Sequence, residues 1–365
     1  MDWYREPWSL VPNKIVRYPG GREIDRFRGI EPPKDDGRPE AWVGSDTRVR
    51  NVTPQNPNEG CAECILPDGS RRYLFEVVAQ APREILGEKH MAVSGEKLGV
   101  LVKLLDAQKQ LGLQTHPTRA YAKEHFGSAF GKEESWYVIG VRQDAEEPPY
   151  VLMGFKEGIT LKDFEKGYDA DDIASMEACC HKIPVQVGDL FFIEAGLPHA
   201  IGGGCFVVEV QEPCDITVGA GKPHHLQLTE QEEEEYKWRQ LHCYHYNGHN
   251  YEENLRCYQV TPRVLREGAW GQERLMIGPQ QTSYFSFTSL KANAPVTLRQ
   301  TGDIQIGIVL SGEAELRWEG GSKKIRQADE LFFPYQVKEI TLVPQQETEL
   351  VLCSPPGVDY PQQEG

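Results

Sequence analysis

The sequence predicts an all-β protein built from two β-barrels, with a small helical insertion in the first, and three observations carry that expectation. Short alternating or apolar runs bounded by Gly, Pro, Asn and Asp recur along the chain, in the form of RRYLFEVV, LGVLVKLLDA, SWYVIGV, PYVLMGF, DLFFIEA, CFVVEVQ and DITVG. Such runs, rich in aromatic and β-branched residues, suit strands. The chain also echoes itself, since VQVGDLFFIEAGLPHAI and IRQADELFFPYQVKEIT both read as strand, turn, aromatic strand, turn, which suggests a duplicated unit. Finally, 365 residues exceed one ordinary core and suffice for two domains.

The elements follow in order. The run LVKLLDAQKQLGLQTHP reads as a strand, and a short helix is expected over Thr118 to His125. A strand ESWYVIGV comes next. Thr160 with Asp163 then opens a capped polar-apolar pattern, TLKDFEKGYDADDIASMEACC, so a helical insertion is expected at about 160–180. The strand DLFFIEAG follows, and a third helix is expected from Thr229 to Arg239. After a polar, aromatic linker, LHCYHYNGHNYEEN, a second strand series begins: CYQVTPRVL, RLMIG, SYFSFTSLKA, DIQIGIVLSGEAELRWEGG, KKIRQADELFFPY, ITLVP and TELVLCSP. The expected division is therefore 1–245 and 246–365.

Composition excludes several classes of function. A net charge of −16 argues against nucleic acid or an anionic membrane as partner, because both depend on Lys and Arg. A small anionic substrate stays open, since Arg119, Lys123 and Lys132 supply a local positive cluster. No apolar run is long enough to span a bilayer, and the first twenty residues lack a secretory pattern, so a cytoplasmic location is expected. The nine Cys show no repeating framework, and several lie in apolar runs, which suits reduced thiols. Cys61 and Cys64 form a CysXXCys pair with no second pair nearby, which leaves it incomplete as a zinc site. Oligomeric state stays open, self-association included.

The chemistry is carried by four residues. Gln114 and His116 are two apart in a strand and so share a face. Glu134 opens a second strand beside Trp136, and His199 follows a Gly and a Pro at the edge of a third. Buried polar groups without partners cost about 1 to 3 kcal/mol each, so four of them in strands need a use. Two imidazoles, a carboxylate and an amide oxygen suit one divalent cation of the zinc, iron, manganese or nickel kind. The second strand series holds no His between Cys257 and Gly365, so it should bind no metal in this way.

YPGGREIDRFRG, PEAWVGSD, LVKLLDAQKQLGLQTHP, GKEESWYVIG, GDLFFIEAGLPHAIGGG and VVEVQEPCD together resemble the type I mannose-6-phosphate isomerases of the shorter bacterial form, zinc-dependent members of the cupin group. The resemblance covers most of residues 1–225 and implies two cupin-type barrels, of which the C-terminal one is metal-free. It further implies zinc on Gln114, His116, Glu134 and His199, and an aldose-ketose isomerisation of mannose 6-phosphate and fructose 6-phosphate through an enediolate. Lys132, two before Glu134, matches a substrate-meeting lysine, and Glu40 matches a pocket carboxylate. A Lys or carboxylate of suitable pKa can act as the acid or base.

One departure bears on substrate. The family places an Arg four residues after an Asp in this region; Asp215 is kept as a catalytic candidate, but the Arg position reads Gly219. A guanidinium at an oxyanion site is not simply exchanged for another group. Lys222, His224 or His225 in the same loop could supply charge, as could Arg119, and Arg119 and Lys222 are the substrate-binding candidates. An isomerase acting on another sugar, or a metal- or carbohydrate-binding protein with little catalysis, are the alternatives.

Overall fold

The computed structural model describes residues 3–50, 52–299 and 301–360. Its contacts form two compact units. One comprises Met1–Leu105, Val208–Pro213 and Thr261–Gly365; the other comprises Asp106–Val207 and Cys214–Val260. The expected division at 245/246 followed the order of the strand series, whereas these units follow packing. Trp8–Leu10 joins the C-terminal series by pairing Ser9 with Leu331, and the Trp8 ring stacks on Phe332 at 5.3 Å. The N-terminal segment thereby belongs with the end of the chain.

The first unit carries a nine-stranded sheet that runs from Arg263–Gly268 at one edge to Arg71–Tyr73 at the other, and a four-stranded sheet from Val296–Thr297 to Gly321–Arg326. Leu290, Val309, Leu316, Leu342 and Leu350 are buried in its core. The second unit holds a five-stranded sheet in the order Cys180–Pro184, Tyr150–Phe155, His199–Ile201, Gln114–Thr115, Val218–Gly219, and a further ladder of Leu190–Ile193 on Glu134–Val141. Leu152, Phe155, Phe164, Tyr168 and Leu241 form its core, which the helical insertion covers.

Three expected helices form, each with the cap its sequence announces. Thr118 accepts from the Tyr121 amide at the start of Arg119–Phe126. Thr160 and Asp163 cap Leu161–Asp169, which is followed by Ile173–Ala178. Thr229 and Glu232 cap Glu230–Leu241 reciprocally.

Other runs depart from the expectation. In RRYLFEVV only Arg71–Tyr73 is strand, and Leu74–Val78 is helix. Leu74, Val77 and Val78 are its buried residues, and that i, i+3, i+4 spacing is helical, not alternating. Cys257 and Tyr258 end the helix Tyr251–Tyr258, whose Asn250 cap lies in the expected linker; the strand begins only at Arg263. LVKLLDAQKQLGLQTHP is two strands, Leu101–Asp106 and Gln114–Thr115, joined by a loop. Among the described residues no helix is long and apolar enough to cross a membrane.

The internal echo is visible in the ladders. In the second unit, Leu190–Ile193 pairs with Glu134–Val141, while His199–Ile201 pairs with both Gln114 and Tyr150–Phe155, which also pairs with Cys180–Pro184. The first unit repeats this arrangement: Glu330–Phe333 pairs with Gln305–Ser311, while Ile340–Pro344 pairs with Val296–Thr297 and with Glu313–Trp318, which also pairs with Gly321–Arg326. The same wiring thus occurs twice.

Candidate metal centre

Short strands and one closed excursion assemble the centre within the second unit. Gln114 and His116 flank Thr115, and Pro117 ends the strand. The chain then makes the helix Arg119–Phe126 and returns, closing with the Lys132 amide donating to the Pro117 carbonyl at 3.1 Å. Gly131 permits this closure, because a Cβ there would lie 2.8 Å from the Pro117 oxygen. The return puts Lys132 beside His116 and starts Glu134–Val141. Glu134 lies opposite Ile193, and His199 lies opposite Gln114.

The four expected ligands are brought together. One donor atom each from His116, Glu134 and His199 falls within a common 4.8 Å, and all three residues are fully buried. The two Nε2 atoms are 3.1 Å apart, and the Gln114 amide is 3.4 Å from His199 Nε2. Glu134 lies 3.2 Å from His116 and 3.5 Å from His199. Trp136 meets the His199 ring edge-on at 5.5 Å and closes that side with an apolar wall.

Both tautomers are settled by the backbone. His116 Nδ1 is 3.0 Å from the Ile216 carbonyl, and His199 Nδ1 is 2.8 Å from the Leu197 carbonyl. A carbonyl only accepts, so each Nδ1 carries the proton and each Nε2 presents a lone pair. Burial is the main cause that lowers the His116 pKa, to about 3, with the Lys132 charge adding to it; burial also lowers that of His199. Burial alone would raise Glu134, but the neighbouring Lys132 charge, the largest opposing cause, holds the carboxyl well below its ordinary range. Two neutral lone pairs and a carboxylate therefore converge. Neither Glu134 oxygen accepts a well-directed hydrogen bond, although the Lys132 ammonium lies 2.6 Å from Oε2 and 2.7 Å from His116 Nε2. Converging acceptors of this kind repel one another unless positive charge stands among them. The donor set fits a divalent cation.

The other expected residues fall differently. Asp215 is half-buried and directly precedes Ile216, whose carbonyl orients His116. Arg119 begins a helix, with its guanidinium 5.8 Å from the Phe130 ring centre. Lys222 donates to the Asp169 carbonyl at 3.0 Å, and His224 pairs with Asp171. Gly219 lies opposite Gln114 in the ladder, and a Cβ there would meet nothing within 4 Å.

Glu40 belongs to the first unit, where it is buried and accepts from the Trp42 indole at 2.8 Å. Lys103, which sequence reading did not single out, lies 3.9 Å from Glu40 and 2.9 Å from Glu209, and 5.0 Å from the Trp42 ring centre. A lysine inside the apolar strand LVKLLD was the signal. Cys61 and Cys64 are both buried, and burial raises both thiols, Cys64 to about 12, which suits inert packing.

The chain is 27% identical over 310 residues to the mannose-6-phosphate isomerase of Streptococcus mutans, covering 81% of this chain and 90% of that protein. It is 25% identical over 254 residues to mannose-6-phosphate isomerase ManA of Bacillus subtilis, covering 68% and 73%. Along most of its length the chain is thus similar to mannose-6-phosphate isomerases. No family model matches it. The fold of the family is shared: the crystal structure of the Bacillus subtilis mannose 6-phosphate isomerase superposes with a TM-score of 0.74 at 19% identity, covering 95% of this chain and 99% of that one. A mutant phosphomannose isomerase from Salmonella typhimurium superposes at 0.72 with 15% identity, over 96% and 100%.

Proposed function

We propose that the chain is a zinc-dependent mannose-6-phosphate isomerase, folded as two cupin-type barrels, that interconverts mannose 6-phosphate and fructose 6-phosphate in the cytoplasm. The observation that carries this reading is the convergence of two backbone-locked imidazoles and a carboxylate on one point, in a chain similar to these isomerases. His116, Glu134, His199 and the Gln114 amide would hold the cation. Zinc bound there would act as a Lewis acid and template for the two substrate oxygens whose charge grows in an enediolate.

The chain's own residues supply the rest. Lys132, its ammonium at the edge of the donor set, is placed to meet a substrate oxygen and to give or take a proton there. Asp215 is the carboxylate proposed for moving protons between neighbouring carbons and oxygens. The buried walls around Trp136 exclude bulk water and strengthen each charge interaction. A coupled assay that follows fructose 6-phosphate formation tests the reading: turnover should vanish on chelation and return with zinc. Full turnover in chelated protein refutes it.

Gly219 favours a second reading, an isomerase for another sugar, because no guanidinium extends from this position, where even a Cβ would meet nothing within 4 Å. Turnover measured across aldose phosphates and free aldoses separates the two. A preference for an unphosphorylated aldose selects the second.

A further inference from the structure

The repeated wiring places a second cavity where the first unit matches the metal centre. In this comparison Ile340, which opens the strand after the aromatic run and turn, takes the place of His199. Leu298, whose amide donates to the Ile340 carbonyl at 2.8 Å, takes the place of Gln114, and Gln305, opposite Phe333, takes the place of Glu134. Two aliphatic side chains and an amide stand where cation donors stand in the other unit. A cavity of about 440 Å³ is lined by all three. That volume lies within the range of small-molecule pockets, about 300 to 1,000 Å³.

Two basic residues, Arg299 and Lys338, line this cavity in a chain of net charge −16, the Lys338 ammonium lying 4.1 Å from the Tyr335 ring centre. Arg299 lies 3.7 Å from Glu273 and 4.4 Å from the Tyr360 ring centre, yet its buried Nη2 makes no hydrogen bond. The lining carboxylate of Asp303 faces His90 Nδ1 at 2.9 Å and accepts from the Ile304 amide at 2.7 Å. His90 Nε2 faces the Lys97 carbonyl at 2.7 Å, so both ring nitrogens address acceptors, which favours the charged ring. Glu339 is the remaining lining carboxylate.

We infer that this cavity is a second, metal-free site that takes a small phosphorylated sugar, with Arg299 and Lys338 holding the phosphate and Thr297 and Gln305 meeting hydroxyl groups. Guanidinium and ammonium groups lining one cavity suit a phosphate dianion, and the hydroxyl and amide groups suit a polyol. The apolar floor of Leu298 and Ile340 excludes a cation. This site is independent of turnover in the other unit.

The test uses the full chain carrying His116→Ala and His199→Ala, so that neither cation binding nor isomerisation contributes. Calorimetric titration with fructose 6-phosphate should show one saturable site with a Kd of about 0.1 to 1 mM. Free fructose and inorganic phosphate should each bind at least about tenfold more weakly. Adding Lys338→Glu, an exposed change that leaves the core intact, should weaken fructose 6-phosphate about tenfold or more. Absence of a saturable site, equal affinity for inorganic phosphate, or binding indifferent to Lys338→Glu and Arg299→Gln each overturns the inference.

Discussion

At matching places in its two strand series the molecule makes opposite choices. His199 and Gln114 face each other across one ladder; Ile340 and Leu298 face each other across the other. The first pair brings lone pairs into a dry interior and leaves both Glu134 oxygens without well-directed donors. The second pair buries aliphatic carbon, with Leu298 and Ile340 4% and 3% exposed. The same strand wiring therefore tolerates either a polar focus that needs a cation or a hydrophobic seam that needs nothing. Strand pairing is carried by the main chain, so it does not discriminate between them.

The largest expected effect lies in the polar focus. His116→Ala or His199→Ala should lower isomerase turnover by about a thousandfold or more and remove the bound metal, as read by the coupled assay and by elemental analysis of the purified protein. A variant that keeps its metal and its rate would erase the contrast between the two places. Stability supplies the next effect, with opposite signs. Ile340→Ala should cost about 2 to 4 kcal/mol in urea unfolding, from lost burial and a residual cavity. In metal-free protein His199→Leu should be neutral or stabilising, because it removes an acceptor from a crowd of acceptors. Equal losses at both positions would mean that the donors do not conflict.

Gly219→Arg should change stability by no more than about 0.5 kcal/mol, since its Cβ meets open space and the backbone there requires no glycine. Its readout is selectivity, as a rise in turnover of phosphorylated over free aldoses. The smallest effect concerns His90. Burial opposes its charge, but the hydrogen bond and charge of Asp303, with the Lys97 carbonyl, outweigh burial and raise its pKa above 6.5. A raised folded pKa gives stability that is complete below the unfolded value and is lost as pH rises through the folded one. Thermal melting should therefore fall as pH rises above about 6.5, and His90→Gln should flatten that slope. A variant with the same slope as the parent would remove His90 as its source.

The donor residues were legible because each is a polar side chain in a run of apolar ones, and because i and i+2 in a strand share a face. What orients them was not legible. The Ile216 and Leu197 carbonyls have no signature, since every residue carries one. Lys103 was overlooked because a single lysine in LVKLLD reads as the solvent-facing member of an alternating strand, whereas every residue of that strand is buried. Glu40 was singled out, but its Trp42 partner shows only in three dimensions. The helix at Leu74–Val78 was misread through its flanking strand residues, and the pairing of Trp8–Leu10 with Glu330–Phe333 joins segments whose sequences give no hint of one another.

The acceptor that fixes His116 is a main-chain oxygen on the loop that carries Asp215 and leads into the strand Val218–Gly219. Side chains along that loop can be exchanged without disturbing the imidazole, provided the path of the backbone is kept. On the proposed reading the scaffold would uncouple retention of the ion from choice of sugar, so that selectivity could drift by mutation while the ion is kept.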